Sequence, residues 1–199
     1  VMELGGNDPL IVMASADIDK AVQFAVASSF ENTGQMCTST ERVYVDERVA
    51  DEFEQKVVAL ARRYQAGPWD QQHVNIGPIV NPKQHANVLS QLEDANAKGA
   101  KFLLGKPHYE LPYIQPTVVT GITPNMTLEQ DETFGPVVAI SRFNHLSEAV
   151  ERANASPYGL AAVVFGGAGA NDVAEQMEAG MVAINKGAGG LGPWVGAKQ

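Results

Sequence analysis

The chain has 199 residues, 45% of them hydrophobic and 19% charged, with a net charge of −9; this suits one soluble domain with its own core and argues against a disordered chain. The acidic balance argues against a nucleic-acid or anionic-membrane surface. No apolar run is long enough to span a bilayer and Val1–Gly6 carries no signal-peptide pattern, so a reducing cytoplasmic setting is expected.

Glu3-Leu4-Gly5-Gly6 reads as a strand end entering a turn, and Pro9 keeps the following residues extended. Leu10-Ile11-Val12-Met13 predicts a short buried strand. Asp17 caps a helix over 18–30, whose apolar positions recur at helical spacing and which Gly34 stops. β-branched and aromatic content predicts a strand over 41–46, followed by an amphipathic helix over 49–64 that Gly67-Pro68 breaks. Pro82 opens a helix that runs to about Lys98, with Gly99 after its end. Strands are predicted at 101–104, from Gln115 to Val119 and, most clearly, over 137–143; Asp131 to Pro136 is a polar turn. Ser147 is placed as the N-cap of a helix ending near Asn154, then come a strand over 161–165, a helix over 171–179 and a strand over 181–185. This alternation predicts an α/β fold, a three-layer α/β/α arrangement around a largely parallel sheet.

Gly187-Ala188-Gly189-Gly190-Leu191-Gly192 matches the letters of a dinucleotide loop, but Pro193-Trp194 follows where a helix has to open. Gly166-Gly167-Ala168-Gly169 has the wrong spacing and reads as a plain connection. His73, His85, His108 and His145 share no ligand spacing and are read as surface residues, so no metal is expected.

Cys37 is the sole cysteine, so it forms no intrachain disulfide. It is either an inert core residue or a nucleophile. Its neighbours Asn32, Thr33, Gln35, Thr38 and Ser39 are polar, and the break at Gly34-Gln35 puts it on a turn, where catalytic groups are often held. A nucleophilic thiol needs a base or local dipoles supplied from elsewhere in the chain. Two carboxylates stand at comparable breaks. Glu3 precedes Gly5-Gly6, whose lack of side chains permits close backbone approach, and Glu132 opens Glu132-Thr133-Phe134-Gly135-Pro136.

Taken together, Glu3-Leu4-Gly5-Gly6, Gly34-Gln35-Met36-Cys37, Gly77-Pro78, Gln115-Pro116-Thr117, Glu132-Thr133-Phe134-Gly135-Pro136 and Asn154 to Ala162 resemble the aldehyde dehydrogenase superfamily in order and spacing over essentially the whole chain. The resemblance implies that Cys37 is the nucleophile and Glu3 the general base, a role that a partly desolvated carboxylate suits. It implies that Glu132 binds the nicotinamide-side ribose, that Phe134 packs near the cofactor, and that the Cys37 backbone N–H supplies half of an oxyanion hole. NAD or NADP would be bound mainly by a cofactor domain N-terminal to Glu3. On this reading residues 1–199 are the catalytic domain alone, without that domain or the C-terminal arm, and the isolated chain does not oxidise aldehydes. The implied partners are an aldehyde, the remainder of the same polypeptide, and further copies in a dimer or tetramer. Two departures stand out: Asn7 where the family often has lysine, and Val195 where it has glycine. Two other readings remain, a cysteine hydrolase or esterase using Cys37 and Glu3 without a nucleotide, and a non-catalytic oligomerisation module.

Overall fold

A computed structural model describes residues 5–187. Seven strands form one sheet: β1 (Asp8–Val12), β2 (Thr40–Asp46), β3 (Lys101–Leu104), β4 (Thr117–Thr120), β5 (Val137–Phe143), β6 (Ala161–Phe165) and β7 (Met181–Ile184). Their order is β3-β4-β5-β2-β1-β6-β7, and every pairing is parallel except β3 with β4. The central strands read as unbroken apolar runs because both sheet faces are covered. Leu10, Val12, Val43, Val45, Val138 and Ile140 face the layer of α1 (Ile18–Phe30) and α2 (Glu47–Ala61). Residues of the opposite parity, Ile11, Tyr44, Ala139 and Phe143, face the layer of α3 (Pro82–Ala97), α5 (Leu146–Asn154) and α6 (Ala170–Ala174). The expected three-layer α/β/α architecture is therefore present.

Helix starts follow local chemistry. The Asp17 carboxylate accepts from the Lys20 N–H at 3.2 Å, Asp46 from Arg48 at 3.1 Å and Asn81 from Gln84 at 2.9 Å. Three expectations are corrected. Ser147 lies inside α5; His145 holds the cap position, with no side-chain cap bond. The last helix, α6, stops at Ala174 rather than 179, because the Asn154 amide donates to the Gln176 carbonyl and accepts from the Glu178 N–H, holding those groups in a turn. His85 is buried on α3, not a surface residue, whereas His73, His108 and His145 are exposed. A single helical turn not anticipated, α4 (Thr127–Gln130), leads into the 131–136 segment. No helix among the described residues is long and apolar enough to cross a membrane.

The segments before β1, β2 and β5 matter most for function. These strands are adjacent and parallel, with Asp8 beside Thr40 and Arg42 beside Ala139. Residues 5–7, 35–39 and 131–136 therefore meet at the amino edge of the sheet.

Candidate active site at the amino edge of the sheet

The thiol loop leaves α1 through a 3-10 turn, Glu31–Gly34, in which Asn32 and Thr33 take φ of 50° and 65°. A β-branched residue there is strained, at a cost of about 1–2 kcal/mol. Polar side chains brace the loop against that strain. Gln35 accepts from the Val80 N–H at 2.8 Å and donates to the Pro78 carbonyl at 3.3 Å, and Thr33 Oγ1 donates to the Gly77 carbonyl at 3.3 Å. Cys37 sits half-buried in a turn closed by the Ser39 N–H on the Met36 carbonyl at 3.0 Å. No acceptor among the described residues engages the Cys37 backbone N–H.

Two glycines set how closely the three segments approach. A Cβ on Gly6 would lie 1.9 Å from the Cys37 carbonyl oxygen, and one on Gly34, at φ 68°, would lie 2.1 Å from the Gly135 carbonyl oxygen. Neither position admits a side chain without backbone movement. The Gly6 N–H donates to Glu132 Oε1 at 2.8 Å. The chain before β1 thus bridges the thiol loop and the Glu132 turn.

The Glu132–Phe134 backbone is held on every side. Gln91 donates to the Glu132 carbonyl at 3.0 Å, and Gln84 donates to the Thr133 and Phe134 carbonyls at 2.8 and 3.1 Å. Glu41, at the start of β2, accepts from the Thr133 and Phe134 N–H groups at 2.7 Å each. Phe134 is half-buried with φ of 52°.

Beneath the loops lie two buried carboxyls, Asp8 (5% exposed) and Glu41 (4%). Burial pushes Asp8 up to about 7; the Ala161 N–H and Arg42 pull it down, while Glu132 adds to the rise. Burial pushes Glu41 up to about 8 against the pull of its two N–H donors, with Glu132 and Asp8 raising it further. Arg42, also buried, donates to the carbonyls of Asn7, Arg152 and Ala153. Asn7 in turn donates to the Glu129 carbonyl at 3.2 Å.

Residues 1–199 match the profile of the Aldehyde dehydrogenase family along their whole length. The chain belongs to that family. It is 39% identical over 166 residues to the cytosolic aldehyde dehydrogenase 1 of Rattus norvegicus, covering 82% of this chain and 33% of the relative. A solved structure of an Escherichia coli NADP-dependent enzyme superimposes with a TM-score of 0.87 at 36% identity, over 92% of this chain and 39% of that one. A betaine aldehyde dehydrogenase of Staphylococcus aureus, solved in complex with NAD+ and with a BME-modified cysteine, superimposes at 0.84 and 31% identity, over 93% and 39%. This aldehyde dehydrogenase chain thus spans about a third to two-fifths of the length of these relatives.

Of the residues singled out in the sequence, Cys37, Glu132 and Phe134 lie in two of the three segments that meet at this edge, 35–39 and 131–136, which residues 5–7 join. Glu3 lies outside the described residues, as do Val195 and the glycine run beyond Gly187. Gly77-Pro78 braces the thiol loop, but Gln115 stands elsewhere, exchanging two 2.9 Å bonds with the Ala66 backbone. Sequence reading missed Asp8, Glu41, Gln84 and Gln91. Glu41 offered one signal, a carboxylate opening a strand whose next residues are largely apolar.

The cofactor implied by the family would find a polar anchor at this edge. Glu132 Oε1 is engaged by Gly6, while Oε2 faces Gly5, where a Cβ would intrude to 3.0 Å. A carboxylate left uncovered by any side chain at Gly5 is a fitting acceptor for ribose hydroxyls. No cluster of His, Cys, Asp and Glu suited to a metal occurs among the described residues.

Proposed function

We propose that this chain carries the thiol half of an NAD(P)-dependent oxidation of an aldehyde to a carboxylic acid. The observation that carries the reading is the contact of Gly6 with both the Cys37 carbonyl and the Glu132 carboxylate, which draws three distant motifs into one edge. Glu3 is the proposed base. It precedes Gly6 by three positions in the Glu3-Leu4-Gly5-Gly6 motif on which the family resemblance rests.

In the proposed mechanism the Cys37 thiolate adds to the aldehyde carbon, forming a C–S bond as the carbonyl π pair moves to oxygen. The Cys37 N–H donates to that oxyanion. NAD(P), when bound, would supply the hydride acceptor, with Glu132 holding its nicotinamide-side ribose and Phe134 packed beside it. Loss of hydride leaves a thioester on Cys37. Glu3 then takes a proton from water, the hydroxide adds to the thioester carbon, and the C–S bond breaks to release the acid and restore the thiolate. Assembly of the full-length protein as a dimer or tetramer belongs to the same reading.

The test is an assay of the full-length protein with a panel of aldehydes and both nucleotides. NAD(P)H formation is expected in the wild type and lost in Cys37→Ala. An unaffected Cys37→Ala would refute the mechanism, and NAD(P)-dependent turnover by the 199-residue chain alone would refute the division of labour between chain segments.

A further inference from the structure

We propose that Glu41 is a positioning residue that locks the Glu132–Phe134 turn to the thiol loop and so sets the ribose contact of the enzyme; this rests on the reading above. Glu41 follows Cys37 by four positions and lies more than ninety residues before the groups it binds. Its two oxygens take one N–H each, Thr133 on Oε2 and Phe134 on Oε1, both at 2.7 Å. Paired donors at that length on one carboxylate define both the distance and the orientation of the turn. Gln84 and Gln91 hold its carbonyls, and Gln91 Oε1 also accepts from the Thr133 hydroxyl at 2.9 Å. Glu41 alone takes its consecutive N–H groups, at the residue whose backbone is left-handed.

The consequence is a short rigid path. From Cys37 it runs four residues along the chain to Glu41, then across one hydrogen bond each to Thr133 and Phe134, the two residues that follow Glu132. A cofactor contact placed this way is anchored to β2 and, through it, to the thiol loop that leads into that strand. The charged groups that bear on Glu41 are Glu132 and Asp8, each of which opposes its ionisation. The two N–H donors favour the ionised form, with both oxygens accepting.

Glu41→Gln keeps the shape but turns an NH2 toward one of the two N–H groups, leaving a buried donor without an acceptor. In the full-length protein, Glu41→Gln is expected to weaken NAD(P)+ binding about ten- to hundred-fold by titration calorimetry. The loss should fall on nucleotide KM more than on kcat at saturating nucleotide, and Glu41→Asp, which retains two acceptor oxygens, should recover part of it. Hydrogen exchange should accelerate at the Thr133 and Phe134 amides of Glu41→Gln with β5 unchanged. Unaltered nucleotide affinity, or a fall in melting temperature without a change in nucleotide KM, would overturn the role. Unaltered exchange at those two amides would overturn the lock itself. If Glu41→Gln does not fold, exchange in the wild type decides: protection at both amides supports the lock, and coil-like rates refute it. A wild type that binds neither nucleotide refutes the enzyme reading and the ribose role together, with exchange still judging the lock.

Discussion

Asp8 offers the sharpest physical test of the buried edge. It is 5% exposed, one oxygen accepts from the Ala161 N–H at 3.1 Å, and its Oδ2 is buried with no hydrogen-bond partner among the described residues. Burial raises its pKa from an ordinary 3.8 to about 7. Between those two values the folded state keeps a proton that the unfolded state has released. The folded state therefore binds more protons there, and stability falls as pH rises through the window. A rise of this size corresponds to on the order of 4 kcal/mol, fully absent below pH 3.8 and fully imposed above pH 7. Asp8→Asn removes the titration yet retains a carbonyl oxygen for the Ala161 N–H. Glu41 imposes a pH slope of the same sign in both proteins, lessened in the variant because Asp8 no longer opposes its ionisation, so the difference between them reports Asp8 together with its coupling to Glu41. In urea unfolding at pH 4 and pH 8, the variant should gain about 3–4 kcal/mol on the wild type as pH rises. A difference constant within about 0.5 kcal/mol would show that Asp8 ionises as an exposed carboxyl does, and would refute the description of this edge as dry.

Gly6→Ala places a carbon 1.9 Å from the Cys37 carbonyl oxygen; it should cost about 1–3 kcal/mol in denaturation and slow alkylation of Cys37 by iodoacetamide, because the thiol loop has to move. Arg152 binds Glu129 Oε1 at 3.0 Å and Ser141 Oγ at 2.8 Å, and Tyr44 donates to the same Glu129 oxygen at 2.8 Å. Arg152→Met leaves that carboxylate buried without its cation and should cost about 3–5 kcal/mol, whereas Lys56→Met, at exposed pairs with Asp19 and Glu52, should cost far less. Equal losses in the two variants, read by the same denaturation curves, would contradict the burial argument.

Elements dictated by nearby residues were legible in the chain. The bounds of α1 follow from the Asp17 cap and a helical apolar period, and β5 from an unbroken Val-Val-Ala-Ile run. The co-occurrence of Cys37, Glu132 and Phe134 was legible only through the family pattern, since no local period links positions 37 and 132. What escaped was decided by distant partners. Asn154 ends α6 through residues 22 and 24 positions away, and Glu41 finds its donors 92 and 93 positions away. His85 looked like a solvated side chain because α3 is largely polar outside its buried face, and the sequence does not show which stripe of that helix meets the sheet.

The central claim is that the Cys37 sulfur bonds to the substrate carbon. The direct measurement is acid-quenched peptide mass spectrometry on the full-length protein mixed with an aldehyde and NAD+ or NADP+. An added mass equal to the acyl group, carried by the peptide containing Cys37 and discharged by hydroxylamine, is the predicted result. Turnover with that peptide unmodified at every quench time, or with the acyl mass on another residue, would contradict the account.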